Sequence, residues 1–161
     1  MAQRHGIAIS FDTNIRPPLW RSMDEAAQRL RYFVERADIL FVDSADARII
    51  VGEEEPDRVV RAFQNLGVDT IVMKLGPSGA FAVHGGERVR EQAIQVPVED
   101  TIGAGDALAG TFLGCFILSG MPLGEALRKA VLAGSLVVMT RGDQENLPTL
   151  EELAILERAF R

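Results

Sequence analysis

The sequence predicts an α/β fold, a mostly parallel sheet with helical crossovers. Two observations carry that expectation. Short runs that are apolar at almost every position alternate with longer, helix-like stretches punctuated by glycine and proline. Strand–helix–strand alternation demands parallel pairing with crossovers, and unbroken apolar runs suit strands buried on both faces.

The elements follow in order. Ile7 to Phe11 is an apolar, β-branched run of strand length. Ser22 is placed to cap a helix running to about Arg36, with Glu25 three residues on to complete a capping box. Ile39 to Val42 is a second buried strand, followed by a short helix ending near Gly52. Pro56 opens a further helix that Gly67 ends. Val68 to Leu75 is a third strand. Gly76-Pro77-Ser78-Gly79 turns the chain into a fourth, Ala80 to His84, and Gly85-Gly86 turns it again into an extended segment from Glu87 to Val98. Helices are expected at about Gly103–Leu118, Pro122–Thr140 and Thr149–Ala159. No boundary, repeat or low-complexity run interrupts the chain, so residues 1–161 are read as a single domain. The first strand begins almost at once. The chain is therefore expected to be incomplete, with an exposed sheet edge that a homo-oligomer would cover.

Composition narrows the class. The 161 residues carry 17 Lys and Arg against 23 Asp and Glu, a net charge of −6, with 47% apolar residues. An acidic chain without a basic block is a poor nucleic-acid binder. One cysteine, Cys115, excludes an internal disulfide framework and a cysteine zinc site. Residues 107–124 are uncharged, but Gly110, Gly114, Gly120, Pro122 and Gly124 break them, so a buried helix is expected rather than a membrane span. With no apolar leader at Met1–His5, the expected location is cytoplasmic.

The segment richest in chemistry is Asp100-Thr101-Ile102-Gly103-Ala104-Gly105-Asp106, followed by an apolar helix. Amides in a first helical turn lack intrahelical partners, and the dipole there favours an anion such as phosphate. Asp106 stands at that positive end, where a carboxylate beside a phosphoryl group can accept a hydroxyl proton. A plain glycine turn with a helix-terminal aspartate fits the spacing equally well. Asp12, Asn14 and Arg16 alternate, which on a strand end points them one way. They suit either a polar cluster at a carboxyl sheet end, with Arg16 forking onto a phosphate or an acid group, or an Asp–Arg salt bridge. Asp43 with Ser44 reads as a helix cap.

Asp100 to Asp106 resembles the second signature of the ribokinase-like, PfkB-type carbohydrate kinases. Phe11-Asp12-Thr13-Asn14-Ile15-Arg16-Pro17-Pro18-Leu19-Trp20 is similar to the "FDPNLRPPLW" segment of fructokinases, with Thr13 in place of proline. Lys74 to Ala80 resembles the family's nucleotide-side glycine turn. Arg141-Gly142-Asp143 through Leu147-Pro148-Thr149 resembles its closing "RGA…LPT" stretch, with Asp143 in place of alanine. The resemblance covers the C-terminal half of such a kinase and implies a partial ribokinase-like fold.

It also implies roles. ATP-dependent phosphoryl transfer to a sugar hydroxyl is expected, with fructose as the first acceptor and 2-keto-3-deoxygluconate, ribose or a nucleoside as alternatives. A non-catalytic nucleotide-binding or association module is the reading from another class. Asp106 would be the base, and Gly103, Ala104 and Gly105 would offer their amides to the transferred phosphate. Asp12, Asn14 and Arg16 would face substrate or phosphate. Lys74, Gly76, Gly79, Ala133 and Gly134 would line the nucleotide site. Asp46, shorter than the family's glutamate, would reach Mg²⁺ through water, and Asp100 and Ile102 would hold a monovalent cation, K⁺ in some members. The implied partners are ATP and a small sugar, without nucleic acid or membrane.

Overall fold

The computed structural model describes residues 2–159 and contains a five-stranded sheet in the order β1-β2-β3-β4-β5. The strands are β1 (Ser10–Asp12), β2 (Ile39–Asp43), β3 (Thr70–Lys74), β4 (Ala80–His84) and β5 (Glu87–Glu91). β1 pairs with β2 and β2 with β3, both parallel, with Phe11 opposite Leu40 and Leu40 opposite Ile71. The predicted α/β class is thus observed. The first strand is shorter than the apolar run suggests, because Ile7 is exposed and pairing starts at Ser10. The predicted extension to Val98 pairs only as far as Glu91.

The sequence sets no boundary within the chain, whereas the backbone groups into two compact units. One holds the residues up to 75 with 81–88, the other 76–80 with those from 89 onward. In the first, β2 and β3 alternate with α1 (Met23–Val34), α2 (Ser44–Val51) and α3 (Pro56–Gln64). Leu40 and Val42 of β2 and Ile71 and Met73 of β3 share a buried cluster with Ala26, Leu30, Val34, Ala47, Ile50, Val59, Val60 and Phe63 from the helices. The intervening Phe41 and Val72 are buried too, which accounts for runs without polar alternation. Ser22 caps α1 by accepting the Glu25 amide at 3.1 Å, and Asp43 caps α2 by accepting the Asp46 amide at 2.8 Å.

The second unit carries α4 (Ala104–Phe112), α5 (Leu123–Val137) and α6 (Leu150–Ala159). The helix expected from Gly103 to Leu118 widens after Phe112 into a π-type turn, Leu113–Leu118. Ser119 closes it by donating both its amide and its hydroxyl to the Gly114 carbonyl, at 3.1 and 2.9 Å. Leu132, Ala133, Leu136 and Leu153 form the core between α5 and α6. Lys129, 6% exposed, binds Glu157 at 2.8 Å, and Arg128 joins the same carboxylate at 3.1 Å. That hydrogen bond raises the Arg128 pKa, holding the guanidinium charged. Among the described residues no helix is long and apolar enough to cross a membrane.

Candidate active site

In the first unit the chain leaves β1 at Asp12 and turns. Asn14 has φ +36°, a left-handed conformation that asparagine tolerates better than most residues. This turn corrects the expectation that Asp12, Asn14 and Arg16 alternate on one strand face. The strand has ended, so period-two geometry no longer applies. Arg16 is exposed and begins a single 3₁₀ turn at Pro17–Leu19. Asp12 pairs not with Arg16 but with Lys74, whose Nζ donates to both carboxylate oxygens at 2.7 Å. The two side chains sit at the carboxyl ends of parallel strands β1 and β3, with β2 between them.

Asp46, 5% exposed, lies on the first turn of α2. Its Oδ2 accepts the Thr13 hydroxyl at 2.5 Å and the Ile15 amide at 3.0 Å. Asp46 thus pins the turn after β1 to α2. The sequence signal missed here was Thr13. Proline, which the resemblance leads one to expect at this position, has no hydroxyl to give.

The second unit places the predicted phosphate loop at the start of α4. The amides of Glu99 and Asp100 donate to the Val138 carbonyl at 2.8 and 3.2 Å. Asp100 Oδ1 accepts the Ile102 amide at 3.1 Å, a tight side-chain turn that reverses the chain. Gly103 caps α4 with φ +81° and no side-chain hydrogen bond, and its carbonyl accepts the Ala107 amide at 2.8 Å. The Ala104 amide makes a long 3.5 Å contact with Thr101 O. Among the described residues, no protein acceptor engages the amides of Gly103, Gly105 or Asp106. Asp106 is exposed on the first turn beside them. The loop therefore presents unengaged donors and a solvent-facing carboxylate at a helix N-terminus, an arrangement that can hold an anion and accept a proton.

Gly76 opens a 3₁₀ turn, and Gly79 is buried so close to the main chain at Gln92 and Ala93 that a Cβ would stand 2.8 Å from Gln92 Cα. Ala133 lies in the second unit's core. A Cβ on Gly134 would meet the Ala104 carbonyl at 3.0 Å, so α5 crosses close to the start of α4. Among the described residues no three His, Cys, Asp or Glu side chains converge as a metal cluster. Asn146, which the sequence reading passed over, donates from Nδ2 to the Leu136 carbonyl at 2.6 Å.

The chain is an α/β protein in which a glycine loop leads into a helix with an exposed aspartate on its first turn. Residues 1–150 match the pfkB family of carbohydrate kinases, and the chain belongs to that family. It is 42% identical to the 2-dehydro-3-deoxygluconokinase of Thermoproteus tenax, over 94% of this chain and 46% of that protein. It is 33% identical to the enzyme of the same name from Bacillus subtilis, over 97% and 48%. Among solved structures, an E. coli protein in complex with ATP and Mg²⁺ superposes with a TM-score of 0.88 at 28% identity, over 98% of this chain and 50% of that one. The aminoimidazole riboside kinase of Salmonella enterica, complexed with its riboside and an ATP analogue, gives 0.83 at 26% identity, over 96% and 53%. The chain spans about half the length of these relatives.

Proposed function

We propose that this chain carries the phosphate-holding loop and the general base of an ATP-dependent kinase that phosphorylates a sugar hydroxyl, with a 2-keto-3-deoxy sugar acid as acceptor. The observation that carries the reading is the exposed Asp106 carboxylate on the first turn of α4, beside amides of Gly103 and Gly105 that no protein group engages. In this reading the acceptor hydroxyl gives its proton to Asp106 as its oxygen bonds to the γ-phosphorus of ATP. The bond to the bridging oxygen breaks, and ADP leaves. The Gly103–Gly105 amides oppose the charge that gathers on the transferring oxygens.

Mg²⁺ would arrive with the nucleotide, and such an ion keeps several waters and asks little of the protein. A water-mediated contact from Asp46, a nucleotide contact from Lys74, a nucleotide wall from Gly76, Gly79, Ala133 and Gly134, and a monovalent cation at Asp100 and Ile102 belong to the same proposal. A sugar acid is favoured over fructose by two relatives that share one name, 2-dehydro-3-deoxygluconokinase. The exposed Arg16 guanidinium adds to this, since it can fork onto a carboxylate. A second copy covering the edge strand β1, and residence in the cytoplasm where ATP is supplied, complete the reading.

The test is ADP release with MgATP and, in turn, 2-keto-3-deoxygluconate, fructose and ribose. Sugar-dependent ADP is expected, greatest with the sugar acid. Asp106→Asn should lower it by roughly a thousandfold while calorimetry shows nucleotide affinity retained. MgATP binding with no sugar-dependent ADP from any acceptor would leave the chain a nucleotide-binding module and sink the kinase reading.

A further inference from the structure

We propose that Asn146 is a positioning residue that fixes the geometry of the Gly103–Gly105 amides from a separate loop. The Asp143 main chain lies directly against Gly103: a Cβ built there would stand 2.5 Å from the Asp143 carbonyl oxygen and 2.8 Å from its Cα. The peptide of Asp143 thus forms the floor beneath the residue that caps α4. The loop bearing Asp143 is held largely by itself. Gln144 donates its amide to the Glu145 carboxylate at 3.1 Å, and Leu147 donates to Gln144 O at 3.3 Å. Among the described residues, the 2.6 Å hydrogen bond from Asn146 Nδ2 to the Leu136 carbonyl is the one that ties residues 141–148 to a neighbouring element.

The anchor matters because of where Leu136 stands. It belongs to the last turn of α5, and its carbonyl, which also accepts the Met139 amide at 3.1 Å, takes Asn146 as a second donor. Two residues on, Val138 O receives the Glu99 and Asp100 amides, which open the phosphate loop. One turn earlier, Gly134 packs on Ala104 at the head of α4. The end of α5 therefore fixes three things: the entry of the phosphate loop, the first residue of α4 and, through Asn146, the floor under Gly103. Asn146 acts through Asp143 and Gly103 rather than on the phosphate itself. Its donor is essential, since the Leu136 carbonyl can only accept.

The inference rests on the reading that these amides hold phosphate, and the experiment separates the two. Amide spectra of the uniformly labelled chain are recorded free and during titration with inorganic phosphate and with MgADP. The variants are Asn146→Asp and Asn146→Ala, with Ser135→Ala as control. The control removes a buried hydroxyl whose hydrogen bond, to Val131 O at 2.8 Å, stays within α5. Both Asn146 variants should shift the Gly103, Ala104 and Gly105 amide signals in the free protein. They should also weaken MgADP binding about tenfold, the scale of lost geometry rather than lost contact. Ser135→Ala should leave those signals in place at a comparable urea midpoint. Signals shifting in the Asn146 variants while neither phosphate nor MgADP perturbs the wild type would uphold the positioning role and defeat the phosphate reading. Signals at Gly103–Gly105 unmoved in both variants, or moved equally by the control, overturn the positioning role itself.

Discussion

The turn after β1 and the loop before α4 are both short, aspartate-bearing and at the end of an element, yet they are built in opposite ways. In the first unit both aspartates meet partners. Asp12 takes Lys74 on both oxygens, and Asp46 takes the Thr13 hydroxyl and the Ile15 amide out of solvent. In the second unit Val138 O and the Asp143 peptide hold the main chain, while the amides of Gly103, Gly105 and Asp106 meet no protein acceptor and the Asp106 side chain is exposed. Residue type does not distinguish the two aspartates. What does is whether the surrounding hydrogen-bond demand is met within the chain. A satisfied buried carboxylate organises structure, whereas an exposed one beside unengaged amides is free to act on something else.

The sharpest way to break this contrast is to delete the two carboxylates in parallel. Asp46→Ala strands the Thr13 hydroxyl and the Ile15 amide in a buried place and should cost about 3 kcal/mol in urea unfolding. Asp106→Ala removes an exposed group without a protein partner and should change stability by less than about 0.5 kcal/mol. Equal losses would show that the α4 loop is as structural as the β1 turn. Next in size is Gly103→Ala. Its φ of +81° disfavours a side chain, and the Asp143 peptide occupies the space a methyl would need, so the variant should unfold about 2 kcal/mol more easily in urea. The same variant should bind MgADP more weakly than wild type in calorimetry.

The two regions were also unequally legible in the sequence. The helix start at Gly103–Asp106 could be read directly, because glycine spacing and an apolar helix are local signals. The caps at Ser22 and Asp43 were local too and are present. Even so, the capping box closes on one side only, because the Glu25 carboxylate turns to Arg29 at 3.0 Å. What was hidden is long-range. Nothing local pairs Asp12 with Lys74 across β2, or sends Asp46 back to Thr13. The alternation of Asp12, Asn14 and Arg16 misled because it assumed a strand that ends at Asp12. The π-type turn at Leu113–Leu118 and the Asn146 tether depend on where chain segments meet, and no period in the sequence encodes that.

A smaller effect tests how far local capping matters in the first unit. Ser22→Ala removes the acceptor for the Glu25 amide at an exposed helix end and should cost about 1 kcal/mol in urea unfolding. That is well below the loss at Asp46, because water can replace the lost partner.

The smallest effect concerns the second unit's interior and asks whether its openness stops at the loop. Cys115 lies within the π-type turn and is fully buried. Burial pushes its thiol pKa above the ordinary value of 9.0, outweighing the attraction of Lys129 for a thiolate. The folded state therefore favours the protonated form. That preference contributes its full stability below the ordinary value and loses it as pH rises through the elevated folded one. Between pH 6 and 8 the unfolding midpoint should not respond to this thiol. A thiol reagent at pH 8 should modify Cys115 no faster than the protein unfolds, and urea should raise the rate in step with the unfolded fraction. Rapid modification of the native chain would mean that solvent reaches well past the Gly103 loop into the second unit.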